Sequence, residues 1–194
     1  MNILVTGKDN KLFQNLSKSG MFENDNLYEY EYETHYTNID QIYHFGTPLN
    51  VEEFEVMTDR ATSSIVMIDH TVDIVGIAVA NKSDVIYCSS QGVYEINKID
   101  TILGLNIDQR YNIFKLSNEE YLKSFNDLFN TCILRVPRDC YTDIVSNYTE
   151  QSILEFNETK KSTTFDYSNL HKEPVFIGDK DFIKKILDPE EGKL

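Results

Sequence analysis

Apolar residues in this chain fall into short runs separated by polar turns, and the runs alternate between two periods. Ile3-Leu4-Val5 predicts a strand over residues 2–6 that runs into a turn at Gly7, and residues 11–18 read as a helix ended by Gly20. Leu27-Tyr28-Glu29-Tyr30-Glu31-Tyr32-Glu33 alternates with period two, the signature of a half-buried strand. Residues 40–45 form another strand. Residues 51–79 are mostly helical, with Ile65, Ile68, Val72 and Val75 at helical spacing, a stripe that suits a core or a dimer seam. Further on come a strand over 84–89, a loop with a weak helical turn over 91–110, a helix over 111–129 and a strand over 132–136. A last helix over 179–187 opens at Gly178-Asp179.

At 194 residues with 41% hydrophobic side chains spread evenly, a single domain over 1–194 is expected. No apolar run approaches the roughly 18 residues that span a bilayer, and Met1-Asn2-Ile3-Leu4-Val5 lacks a basic leader, so a cytoplasmic protein is expected. The net charge of −14 argues against nucleic-acid partners and favours solubility. An anionic ligand would then need locally basic ground, for which Lys8, Lys11, Arg135 and Arg138 are the candidates. Cys88, Cys132 and Cys140 have no metal-ligand spacing and read as structural thiols. His35, His70 and His171 share no ligand spacing either, so no metal site is expected.

The chemistry concentrates in two segments. Tyr87-Cys88-Ser89-Ser90-Gln91-Gly92-Val93-Tyr94 ends an apolar strand in serine, and Tyr111-Asn112-Ile113-Phe114-Lys115 places a tyrosine one helical turn before a lysine. Side chains at i and i+4 share a helix face, so Tyr111 and Lys115 would point into one pocket. An ammonium beside a phenol favours the phenolate, which fits Tyr111 to exchange a proton with an alcohol while a nicotinamide exchanges the hydride. Ser90 would orient the same oxygen. Read alone, such a Tyr/Lys pair is more often a solvated helix face.

In their order along the chain, the opening strand and Gly7, the His44-Phe45-Gly46 strand end, the Ser90 strand end, Tyr111 with Lys115 and the Leu134-Arg135-Val136-Pro137-Arg138 strand resemble the extended short-chain dehydrogenase/reductases, the nucleotide-sugar epimerases and dehydratases. The resemblance implies an α/β, Rossmann-like, doubly wound parallel sheet, with residues 139–194 a reduced substrate-side region. It places Ser90, Tyr111 and Lys115 at the catalytic positions. Gly7, Lys8, Asn10, Lys11, Glu33, His44, Gly46 and Lys115 would lie along a bound NAD or NADP, and Gln91, Arg135 and Arg138 toward the substrate. Glu31 or Glu33, at the end of the second strand, would favour NAD by repelling a 2′-phosphate; either also reads as a solvated acidic face. His44 reads equally as a packed core residue.

Two departures from the family pattern shape these expectations. The glycine turn reads Thr6-Gly7-Lys8-Asp9-Asn10-Lys11-Leu12-Phe13, where Asn10 can tolerate a left-handed conformation so that a turn survives, and Phe13 must push the first helix outward or swing into the core. The link after the alternating segment is too short for a full crossover, which implies a sheet trimmed by one strand. Two function classes follow: an NAD(P)-dependent epimerase or reductase acting on a nucleotide-linked sugar, with Gln91-Gly92 standing where dehydratases carry Asp-Glu, or a non-catalytic relative that uses the scaffold for binding or assembly. The family's habit of pairing through two helices implies a homodimer.

Overall fold

The computed structural model describes residues 1–46, 63–98, 107–137 and 142–167. Six parallel strands form one sheet: β1 (Asn2–Thr6), β2 (Asn26–Glu29), β3 (Gln41–His44), β4 (Asp84–Ser90), β5 (Thr131–Val136) and β6 (Thr163–Asp166), in the order β2-β1-β3-β4-β5-β6. Among the described residues four α-helices cover it: α1 (Lys11–Lys18), α2 (Ser63–Asn81), α3 (Ile107–Lys123) and α4 (Asp143–Thr159). β1, β3, β4 and β5 are buried along nearly their whole length, as the continuous apolar runs of a sheet covered on both faces require.

Strand alternation divides the core. Ile3, Val5, Tyr43, Ile86, Cys88 and Leu134 face α1 and α4, where Leu12, Leu16, Ile153 and Phe156 meet them. Leu4, Ile42, Val85 and Tyr87 face the opposite way, against Ile74, Val75 and Ala78 of α2 and Leu122 of α3. Phe13 takes the inward route: its ring is 2% exposed, stacked on Phe22 at 5.1 Å and set edge-on to Tyr43 and Phe45.

β2 departs from the half-buried strand expected over residues 27–33. It stops at Glu29 and is exposed throughout, because it is the sheet edge, where the doubly wound order continues with a further strand. The trimmed edge is closed locally. The Tyr36 hydroxyl accepts the Glu31 N–H at 2.6 Å and donates to the Glu29 carbonyl at 3.0 Å, satisfying two backbone groups that an outer strand would have taken. The link from β2 to β3 then crosses β1 without a helix. Asn81, at the end of α2, pins it by donating to the Tyr36 carbonyl and accepting the Ile39 N–H.

The pattern reading above contains neither α4 nor β6. Three of the inward positions on α4 are Ser146, Thr149 and Ser152, which break the apolar stripe; each hydroxyl donates to the carbonyl four residues back and so enters the core satisfied. α3 begins and ends before the expected 111–129, and Phe125 and Phe129 stack in the turns that follow it. The helix expected over 179–187 lies outside the described residues, as does the first part of the 51–79 stretch.

Candidate active site

The C-terminal ends of β1, β3, β4 and β5 lie side by side, and Gly7, His44, Gly46 and Ser90 are found at or next to them. β4 ends at Ser90, whose Oγ accepts the Gly92 N–H at 3.1 Å as the chain turns into a 3-10 segment, Gln91–Lys98. α3 lays Tyr111 and Lys115 against this strand end, and neither has any exposed surface. Lys115 Nζ donates to the Cys88 carbonyl at 2.9 Å, two residues before Ser90, and lies 5.4 Å from the Tyr87 ring centroid and 5.9 Å from that of Tyr111. The ammonium thus sits on a carbonyl dipole and the negative faces of two aromatic rings, which offset part of its burial cost.

A second polar layer supports the first. Ser89, Arg135 and Asp166 are register partners across β4, β5 and β6. Glu119, one turn beyond Lys115 and fully buried, receives Ser89 Oγ at 2.5 Å and a forked Arg135 guanidinium at 2.6 to 3.2 Å. Arg135 also stacks on Tyr94 at 4.6 Å. Burial opposes the Arg135 charge, but Glu119 and Tyr94 outweigh it and hold the guanidinium protonated above its usual range. Arg135, expected toward the substrate, is therefore engaged by Glu119. Glu119 and Glu120 are neighbours in the sequence, and only the fold separates the buried one from the exposed one.

His44 occupies a core position. Its Nδ1 lies 2.8 Å from Thr6 Oγ1 and its Nε2 3.1 Å from Thr71 Oγ1. Thr6 Oγ1 also accepts the Gly46 N–H at 2.8 Å, so one hydroxyl serves both the ring and the backbone of the β3 end. Burial first, then the nearby Lys115 and His70, push the imidazole pKa down to about 3, so the ring stays neutral. Both ring nitrogens thus lie within hydrogen-bond reach of a threonine hydroxyl.

The glycine turn keeps part of its pattern. Gly7 has φ +70°, and a Cβ there would lie 2.6 Å from the Gly46 backbone, so the ends of β1 and β3 close to a distance only glycines permit. Asn10 does not use the left-handed conformation open to it. With φ −61° and ψ 128° it is the N-cap of α1: Oδ1 accepts the N–H groups of Leu12 and Phe13, and Nδ2 donates to the Phe45 carbonyl. Glu33 lies beyond β2 in a turn, at φ 59°, and the acid at the strand end is Glu29, 3.7 Å from Lys8 Nζ. A cleft of about 680 Å³ opens between α1 and β2, bounded by Lys8, Phe13, Lys18, Leu27 and Glu29. Lys11 is exposed. Gln91 Nε2 is buried without a hydrogen-bond acceptor. Arg138, Cys140 and His171 lie outside the described residues; Cys88 and Cys132 are buried, and no metal-holding cluster occurs among the described residues. Nor is any described helix long and apolar enough to cross a membrane.

At the level of sequence, no family model and no curated protein matches the chain. Solved structures do. The dTDP-4-dehydrorhamnose reductase from Yersinia enterocolitica aligns with TM-score 0.56 and 18% identity over 84% of this chain and 72% of its own. A hypothetical dTDP-4-dehydrorhamnose reductase from Sulfolobus tokodaii aligns with TM-score 0.58 and 15% identity over 85% and 75%. A short-chain dehydrogenase/reductase superfamily protein from Agrobacterium tumefaciens, with bound NAD, aligns with TM-score 0.51 and 17% identity over 70% of this chain and 48% of its own. With the parallel order β2-β1-β3-β4-β5-β6, the chain has the fold of the extended short-chain dehydrogenase/reductases, reduced at one edge.

Proposed function

We propose that the protein is an NAD(P)-dependent reductase or epimerase acting on a nucleotide-linked sugar, with Tyr111 as proton carrier, Lys115 as its electrostatic partner and Ser90 as the group that orients the reacting oxygen. The observation that carries this reading is the wholly buried Lys115, set between the Tyr111 ring and the carbonyl two residues before Ser90. Burying an ammonium is costly for a scaffold, and a fixed positive charge next to a phenol is what favours release of the phenolic proton.

A nicotinamide dinucleotide would lie across the strand ends, where Gly7 and Gly46 bring β1 and β3 into a close backbone approach that a Cβ would block. When bound, it would supply the hydride. Lys8 would face its phosphates and Glu29 its ribose hydroxyls, which favours NAD over NADP. Gln91 Nε2 would donate to a sugar oxygen, as a buried donor without an acceptor calls for one. Reduction is favoured over epimerisation because the reductases align over 84% and 85% of the chain, against 69% for the UDP-Glc/GlcNAc 4-epimerase from Campylobacter jejuni. Val72 and Val79 of α2 and Tyr121 of α3 leave apolar surface exposed, which supports pairing of two copies through these helices.

The deciding experiment incubates purified protein with NADH or NADPH and a panel of dTDP- and UDP-linked 4-keto and 4-hydroxy sugars, following absorbance and products. Turnover that falls at least ~10²-fold in Tyr111→Phe supports the reading; turnover unchanged by it removes Tyr111 from the chemistry. Absence of turnover in the wild type favours the second reading, a non-catalytic relative, which the capped α1 supports.

A further inference from the structure

The crevice between the C-terminal ends of β1 and β3 is the point where strand order reverses, with β2 on one side of β1 and β3 on the other, and ligands of open α/β sheets sit at such points. Asn10 spans it. Its Oδ1 takes the N–H groups of Leu12 at 2.9 Å and Phe13 at 3.3 Å, while its Nδ2 reaches across to the Phe45 carbonyl at 3.0 Å, beside Gly46. The helix cannot slide away to free those amides, because Phe13 is fixed in a four-ring cluster with Phe22, Tyr43 and Phe45.

We infer that the Asn10 carboxamide is a latch across this crevice that competes with the diphosphate of a dinucleotide for the first amides of α1, and so weakens this chain's hold on its cofactor. The inference rests on the cofactor reading above. An anion at a helix N-terminus gains from the unpaired N–H groups and the helix dipole. Here two of those N–H groups are already bonded, and the carboxamide oxygen places partial negative charge toward the arriving phosphate. The chain thus trades affinity for a closed turn, and a weakly held dinucleotide exchanges at each turnover, as a reductase needs and an epimerase does not.

The test is titration of full-length protein with NADH, followed by nucleotide fluorescence and calorimetry, in the wild type, Asn10→Gly and Asn10→Asp. Glycine is an acceptable N-cap that leaves both amides free, whereas aspartate keeps the cap and adds charge. Asn10→Gly should bind at least tenfold more tightly than the wild type and Asn10→Asp more weakly, with thermal melts confirming folded variants. Measurable wild-type binding that Asn10→Gly leaves unchanged or weakens overturns the latch alone. No NADH binding by either the wild type or Asn10→Gly overturns the cofactor reading and the latch with it. Should Asn10→Gly fail to fold, Asn10→Asp decides: binding equal to the wild type overturns the latch.

Discussion

Arg135 grips Glu119 with a forked guanidinium, its Nη2 2.6 Å from a carboxylate that has no exposed surface. This pair joins α3 to β5, and through Ser89 it reaches the strand that ends in Ser90. Removing one partner strands the other in a low-dielectric setting. Glu119→Ala should therefore cost about 3–5 kcal/mol of folding stability by urea denaturation, while a joint Glu119→Met, Arg135→Met replacement should recover most of it. A single substitution costing under about 1 kcal/mol would show the pair to be solvated.

His44 makes stability sensitive to acid. Its folded pKa of about 3 lies below its ordinary 6.5, so between these values the unfolded chain binds a proton that the folded chain does not. Its contribution is complete above about pH 6.5 and is lost as pH falls toward 3, at up to about 1.4 kcal/mol per pH unit. Denaturant titrations at stepped pH should show a wild-type curve that falls more steeply below pH 6.5 than that of His44→Gln. Parallel curves would mean that the imidazole titrates normally.

Phe13 contributes stability where the family pattern has a glycine. Its ring fills the space between Phe22, Tyr43 and Phe45, so Phe13→Ala should cost about 3–5 kcal/mol through lost transfer energy and a residual cavity. The check is the midpoint of urea unfolding. A neutral result would require the helix to close on the gap.

Val72 and Val79 are 45% and 38% exposed on α2. If two copies pair through this face, light scattering at micromolar concentration should give the mass of a dimer, and Val72→Glu should give that of a monomer. A monomeric wild type would count against the pairing.

Much of the sheet was legible in the chain itself. β1, β4 and β5 carry runs of neighbouring apolar residues, the mark of a buried parallel strand. The spacing of Tyr111 and Lys115 likewise fixes their shared helix face, because i and i+4 is a property of the backbone. What the spacing left open was set by partners distant in sequence. Glu119 is separated from Glu120 only by Ser89 and Arg135, His44 is neutral because burial and the nearby Lys115 and His70 disfavour its charge, and Asn10 is a cap that reaches Phe45 across the crevice. α4 escaped notice because Ser146, Thr149 and Ser152 look polar until their hydroxyls find carbonyls one turn back, and β2 looked half-buried because its alternation carries no record that the neighbouring strand is missing. Period and spacing are local and belong to the sequence; the burial and pairing of a polar group depend on what the rest of the chain brings to it, and only the tertiary structure decides that.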